Sequence, residues 1–478
     1  MNIQRLTAAT ALVLACASLF ACATPAPAPK LLDWQVTSSH PYVLAGEETN
    51  AVVHLEIGAK LPETEQERIP INVSLVVDYS GSMTKAQLED AKKAVRHVLG
   101  ELRPEDTVSV IAFSSRVEVL QQQESWDDVD RPELYKAIGD LSPRGTTNMT
   151  GALQAALSQV RTRFDAGRLN RIMLLSDGIP NDPSQLSALA DGARGSQIAI
   201  STFGLGPHYN EDLMADLADR SGGNYRFIQK SGDIEEYFAA ERQGLEQVVA
   251  RNATVLVTLG PGVALDQALG AQATYQGNNQ ISIFVGDLGP SDKRAIALKL
   301  KVKAPSSGAN VELVDATLTW EDVVFWDGYK ERLAYLQAES TKDQALIDKH
   351  HDKIVEEKVG RLLAAWEAEQ AIRDYEAGNR EQAERRLNRA ADDYRKRRLE
   401  AQASTPSYDA KIAVDAPTYA AEPATADSGG YLDDWLFGTA VELQSDGDES
   451  DDEQSEKTDR KKVLIKRTKR GTRSVSGQ

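Results

Sequence analysis

Cysteine is almost absent from this chain: two in 478 residues, Cys16 and Cys22, both near the N-terminus. Everything after residue 22 therefore lacks disulfides and thiol chemistry. Histidine is scarce too, and none of the six (His40, His54, His97, His208, His350 and His351) falls within a catalytic motif. That leaves Ser-His-Asp and Cys-His nucleophilic catalysis without support. His350 and His351 adjoin in a helical stretch, but neither has a partner at metal-ligand spacing along the sequence. Positive charge is in deficit as well. A net charge of −18 argues against nucleic acid or an anionic lipid surface as the principal partner. Long apolar runs are missing: Ala8–Phe20 is too short to span a bilayer, and no later segment is long and apolar enough to do so.

The N-terminus reads as a secretory signal, residues 1–21, with the single basic residue Arg5 ahead of that apolar stretch. Leu19-Phe20-Ala21-Cys22 resembles a bacterial lipobox, which implies that Cys22 is the lipidated first residue of the mature chain. Residues 22–33, rich in Ala and Pro, form an extended tether. By resemblance to Gram-negative sorting, Ala23 in place of Asp directs the protein to the outer membrane.

The most informative stretch is Asp78-Tyr79-Ser80-Gly81-Ser82, at the end of the apolar run Val73–Val77. The run has the length and β-branched content of a buried parallel strand. Its end places one carboxylate and two hydroxyls where open α/β sheets bind ligands. Such hard oxygen donors suit Mg²⁺, Mn²⁺ or Ca²⁺ rather than Zn²⁺. A second apolar strand, Arg171–Leu175, ends in Ser176-Asp177-Gly178, and the loop Gly145-Thr146-Thr147-Asn148 opens a helical pattern between the two strands.

Together these three pieces resemble the metal-ion-dependent adhesion site of von Willebrand factor type A domains. The resemblance implies a divalent-cation site, Mg²⁺ first, made by Ser80 and Ser82 directly, Thr147 directly or through water, and Asp78 and Asp177 often through water. Thr146, adjacent, stays open as an alternative to Thr147. It also implies a doubly wound α/β domain over 70–245. The helical patterns Ala86–Leu99 and Ser184–Gly192 alternate with strands Val108–Phe113 and Ile198–Gly204, which points to the same architecture independently.

Period-two alternation over 34–61 and again over 246–322 predicts strands on both sides of that domain, neither set sufficient alone. We expect one β-sandwich with the α/β domain inserted through the linker Pro62–Pro70. This organisation resembles bacterial lipoproteins labelled as calcium-activated chloride channel homologues, and more loosely the inter-α-trypsin inhibitor heavy chains. Residues 327–401 change to a helical period. There Ala364, Ala368, Ala371 and Ile372 face Ala383, Leu387, Ala390 and Tyr394 across Gly378-Asn379 as a helical hairpin. Residues 402–478 have the composition of a disordered tail, with an acidic block, a basic block and the cluster Tyr431–Phe437.

The function these features imply is that of a cell-envelope lipoprotein, not an enzyme. Its metal captures an Asp or Glu of an envelope or extracellular protein, and a lipid anchor holds it to the membrane. The alternative is an envelope assembly scaffold that recruits through the helical region and tail, with the metal dispensable. A metal-dependent hydrolase is a minor alternative. The strand-end Asp faintly resembles the haloacid-dehalogenase pattern, but the second Asp of that pattern is Ser80 here, which cannot donate a proton near neutral pH.

Overall fold

The computed structural model describes residues 31–60, 68–325 and 328–404. The signal, Cys22, most of the tether, much of the entry linker, and the tail from 405 with Tyr431–Phe437 lie outside the described residues. Strands β1 (Leu32–Ser38), β2 (Tyr42–Leu44) and β3 (Glu48–Ala59) come first. Then follow β4 (Ile71–Asp78), α1 (Lys85–Gly100), β5 (Thr107–Phe113), β6 (Val117–Ser125), α2 (Arg131–Asp140) and α3 (Met149–Thr162). The same α/β region continues through β7 (Leu169–Ser176), α4 (Leu186–Gly195), β8 (Ala199–Leu205), α5 (Glu211–Ser221), β9 (Tyr225–Ile228) and α6 (Ile234–Glu246).

These strands form one six-stranded sheet in the order β6-β5-β4-β7-β8-β9, parallel except for the edge strand β6. Both faces of the sheet are buried, which is why β4 reads as a largely apolar run rather than an alternating one. Val73, Leu75 and Val77 pack on one side with Leu88, Val95 and Phe238 of α1 and α6. Val76 packs on the other side with Leu153 and Leu157 of α3. Thr84 starts α1 with a capping box, its hydroxyl accepting from Gln87 N while the Gln87 side chain accepts from Thr84 N. The strand order reverses beside β4, so the carboxyl ends of β4 and β7 open into the crevice where such sheets bind ligands.

The remaining strands are β10 (Ala250–Leu259), β11 (Val263–Leu269), β12 (Ala273–Gly277), β13 (Gln280–Leu288), β14 (Lys293–Lys303), β15 (Asn310–Asp322) and β16 (Tyr329–Thr341). They combine with the first three as two sheets, β1-β3-β14-β11 and β12-β13-β10-β15-β16-β2, around one shared core. Pairing of β3 with β14, from Gly58 with Lys293 to Glu48 with Lys303, joins strands from either side of the α/β region. The α/β domain is thus inserted in a sandwich.

Three boundaries are corrected here. Residues 329–341, expected to be helical, form β16, so the sandwich extends past 322. The alternation is there but mixed: Tyr329, Leu333 and Tyr335 point outward, while Lys330 and Arg332 share the inward face with Ala334, Leu336 and Ala338. Residues 32 and 33 belong to β1 rather than the tether, and residues 402–404 to the last helix rather than the tail.

Helices α7 (Gln344–His350), α8 (Lys353–Glu376) and α9 (Arg380–Ser404) end the described chain. The predicted small-residue stripes meet, with Ala364, Ala368 and Ala371 against Ala383, Leu387 and Tyr394. The first half of α8 lies on the four-stranded sheet, where Val355, Val359 and Leu362 bury against Leu269 and Ala297. The hairpin thereby packs on the outer face of the sandwich, on the side of β14 opposite the core residues Ile296, Leu298 and Leu300.

The inserted domain is clamped where it enters and leaves. Arg68 donates to both oxygens of the buried Asp106 at 2.9 Å, and its Nε reaches Glu246 Oε1 at 2.6 Å. At the other contact, Arg171 pairs with Asp287 at 3.0 Å, and Arg251 of β10 donates to the carbonyls of Arg168 and Ala166. Removing one partner of a buried pair leaves the other charge uncompensated, at about 3–5 kcal/mol. Arg68→Ala should therefore lower the melting temperature by several degrees in calorimetry. An unchanged melting curve would show that the clamp contributes nothing.

Candidate metal centre

The site grows from the ends of two neighbouring strands. Asp78 closes β4, and Asp177 follows the last residue of β7. Asp78 Oδ1 accepts from the backbone N–H of Ser80 at 2.8 Å, which folds the chain back so that Ser80 and Ser82 share one side of the turn. Their hydroxyl oxygens lie 2.9 Å apart. Ser82 Oγ in turn donates to Asp177 Oδ1 at 2.6 Å. Asp78 Oδ2 accepts from Ser176 Oγ at 2.5 Å, closing a hydrogen-bonded chain from one strand end to the other.

The third element is the loop before α3. Gly145 takes a φ of +73° and accepts from Gly81 N at 3.0 Å, holding the loop against the first turn. Asn148 caps α3 by accepting from Gly151 N at 3.1 Å. The two threonines left open by the sequence are now distinguished. Thr146 is exposed and its hydroxyl accepts from Asn181 Nδ2 at 3.0 Å. Thr147 is buried, and its hydroxyl crowds the α-carbon of Gly178. A β-carbon there would lie 2.6 Å from Thr147 Oγ1 and 3.3 Å from Ser82 Oγ, so only glycine fits. The structure therefore brings all five sequence-predicted residues, Asp78, Ser80, Ser82, Thr147 and Asp177, to one place.

Electrostatically the place is short of positive charge. Neither Asp78 nor Asp177 has an ion-pair partner among the described residues. Burial pushes the Asp78 carboxyl up to about 6, and the neighbouring Asp177 adds to that push against the hydrogen bonds from Ser176 and Ser80. Burial raises Asp177 as well. Two desolvated carboxylates with three neutral hydroxyls between them are a donor set that a hard divalent cation fits and no side chain here neutralises. Asp78, Ser80, Thr147 and Asp177 are buried, and the cluster reaches the surface at the exposed Gly81 and Ser82.

Sequence reasoning missed three contributors. Ser176 holds Asp78 and was visible only as the residue before Asp177. Asn181 holds the loop, accepting from Thr147 N at 3.4 Å while its own backbone N–H donates to Thr147 O at 3.0 Å. Ile179 stands beside Asp177 with 65% of its surface exposed, an apolar residue at the rim of a polar cluster. No motif announces it.

The chain matches the von Willebrand factor type A domain over residues 72–240. It is 26% identical to the uncharacterized protein YfbK of Escherichia coli over 253 residues, which span 51% of this chain and 43% of YfbK. It is 24% identical to the bovine inter-alpha-trypsin inhibitor heavy chain H3 over 330 residues, 64% of this chain and 35% of that protein. The chain thus spans less than half the length of these two relatives. Among solved structures, a von Willebrand factor type A protein from Catenulispora acidiphila superposes with a TM-score of 0.63 at 17% identity, covering 87% of this chain and 97% of that one. The ArnB paralog VWA2 from Sulfolobus acidocaldarius gives 0.59 at 17% identity, covering 94% and 99%. At these identities the structures bear on the fold alone.

Proposed function

Because residues 72–240 of this chain are a von Willebrand factor type A domain, a kind of module that commonly mediates protein–protein interaction, we propose that the chain is an envelope protein that captures a partner through a bound divalent cation. The observation that carries this reading is the hydrogen-bonded set of Asp78, Ser80, Ser82 and Asp177, open to the surface at Ser82, with Thr147 beside it and two carboxylates that no cation among the described residues neutralises. The five residues hold the ion, Mg²⁺ first. When bound, it supplies an electrophilic point that a partner's Asp or Glu completes. Three neutral hydroxyls leave the ion short of negative charge, which favours an incoming carboxylate, while exposed Ile179 offers apolar contact next to it.

Placement at the envelope belongs to the same proposal and rests on the sequence of the first 22 residues, with Cys22 as the lipidated residue and the outer membrane as its site. Among the described residues no helix is long and apolar enough to cross a membrane. Acyl burial contributes about 0.8 kcal/mol per methylene, so Cys22→Ser should shift the protein from the membrane pellet to the soluble fraction on cell fractionation. A variant that still pellets would place the anchor elsewhere.

The test of capture is a pulldown from envelope extract by the wild type, by the wild type in EDTA, and by Thr147→Ala. Thr147 carries no charge, so its loss should weaken capture far more than it weakens the cation. Capture that survives both chelation and Thr147→Ala would favour the assembly-scaffold reading. One observation gives that second reading substance: Tyr329, Leu333 and Tyr335 of β16 present an exposed apolar row well away from the cation ligands in sequence.

A further inference from the structure

His351, which shows no partner at metal spacing along the sequence, meets one from the opposite end of the described chain. His40 lies in the turn between β1 and β2, His351 between α7 and α8, and Glu356 in the first turn of α8. One ligand atom from each lies within 4.8 Å of the other two. His351 Nε2 is 3.0 Å from Glu356 Oε1, and the two imidazole centroids are 4.6 Å apart. We propose that His40, His351 and Glu356 form a second metal site, selective for zinc-type cations, that staples the N-terminal strands to the helical hairpin.

The donors differ in kind from those of the first site. Two imidazoles and one carboxylate suit Zn²⁺, Cu²⁺ or Ni²⁺, whereas Mg²⁺ and Ca²⁺ prefer oxygen alone. The supporting contacts are those that orient metal ligands. The buried Ser39 hydroxyl lies 2.6 Å from His40 Nδ1 and also donates to Glu356 Oε1 at 3.4 Å. Arg397 donates to the other carboxylate oxygen, Oε2, at 3.3 Å, which fixes the plane of the carboxylate and leaves Oε1 turned toward the histidines. Lys353, nearby, is paired with Glu400 at 3.2 Å, so its charge is compensated. His351 and Glu356 also line a cavity of about 210 Å³ with Lys353, Asp393, Lys396, Arg397 and Glu400, which gives water access to two of the three ligands. The backbone is already closed at this point, since Asp352, the N-cap of α8, donates its N–H to Ser39 O at 3.0 Å. A metal bound there joins segments from the two ends of the described chain.

The experiment titrates Co²⁺, a coloured stand-in for Zn²⁺, into the metal-stripped full chain with Mg²⁺ in excess to hold the first site. Wild type and Asp78→Ala should both take up one equivalent, with the visible absorption of nitrogen-ligated Co²⁺, and Zn²⁺ should bleach it and raise the melting temperature. The double variant His40→Ala/His351→Ala should show neither effect. Glu356→Gln keeps the side chain's size and should weaken uptake by about tenfold or more. This second variant carries the test if the double variant fails to fold by circular dichroism. Absence of the band in wild type, equal uptake by the double variant, or unchanged affinity in Glu356→Gln overturns the proposal.

Discussion

Asp78→Ala should abolish divalent-cation binding at the β4–β7 strand ends while leaving the fold intact. Asp78 supplies one of only two carboxylates in the set, and it also holds Ser80 in place through the 2.8 Å bond from the Ser80 backbone. Its loss therefore removes charge and geometry together. The fold should survive because the side chain ends β4 at the edge of the core, and its removal unpairs only the Ser176 hydroxyl and the Ser80 N–H, at about 1–3 kcal/mol. Mn²⁺ titration by electron paramagnetic resonance would check the first half and circular dichroism the second. Mn²⁺ uptake equal to wild type would remove the assignment.

The second large effect is on pH. Without a cation, burial pushes the Asp78 carboxyl up to about 6, so a cation should have to displace that proton to bind. Affinity should therefore fall about tenfold between pH 7 and pH 5 from this one group, and further because Asp177 is raised as well. Stability without the cation runs the opposite way. A carboxyl whose folded value lies above its unfolded one contributes stability that is full below the ordinary carboxylate range and is lost as pH rises through about 6. The cation-free domain should thus gain stability relative to the cation-bound domain on mild acidification. Calorimetric titration at several pH values, with proton release measured by changing the buffer, reads both quantities. Affinity that stays flat from pH 5 to 7 would show that Asp78 is already ionised without the ion.

The clustering of the five residues proposed to hold the cation was legible in the sequence because each sits in a short local string. A parallel strand that stops at Asp-x-Ser-x-Ser, a second that stops at Ser-Asp-Gly, and a Gly-Thr-Thr-Asn loop before a helix each advertise their place in the fold. The insertion was legible for a different reason: strands 34–61 and 246–322 are individually too few to bury a core. What failed to show was whatever inverts or lengthens a pattern. β16 hides because Tyr329, Leu333 and Tyr335 face out while Lys330 and Arg332 share the inward face with Ala334, Leu336 and Ala338. The edge strand β6 and helix α2 gave no signal either, β6 being largely polar with one side in solvent. The cluster of His40, His351 and Glu356 is invisible to any local reading, since its members approach only after the sandwich has closed.

The pairing of β3 with β14 also has a kinetic consequence. Half of this ladder is made early in synthesis and waits for a partner that emerges only after the whole α/β domain, so the sandwich is a high-contact-order structure and slow to form from an open chain. The inserted domain changes that. Once it has folded, Arg68 and Glu246 bring its two ends together at 2.6 Å, and the loop that β3 and β14 have to close is shortened to the linker and the strands β10–β13. Folding should proceed from the inside outward, with the inserted α/β domain complete before the scaffold that carries it exists.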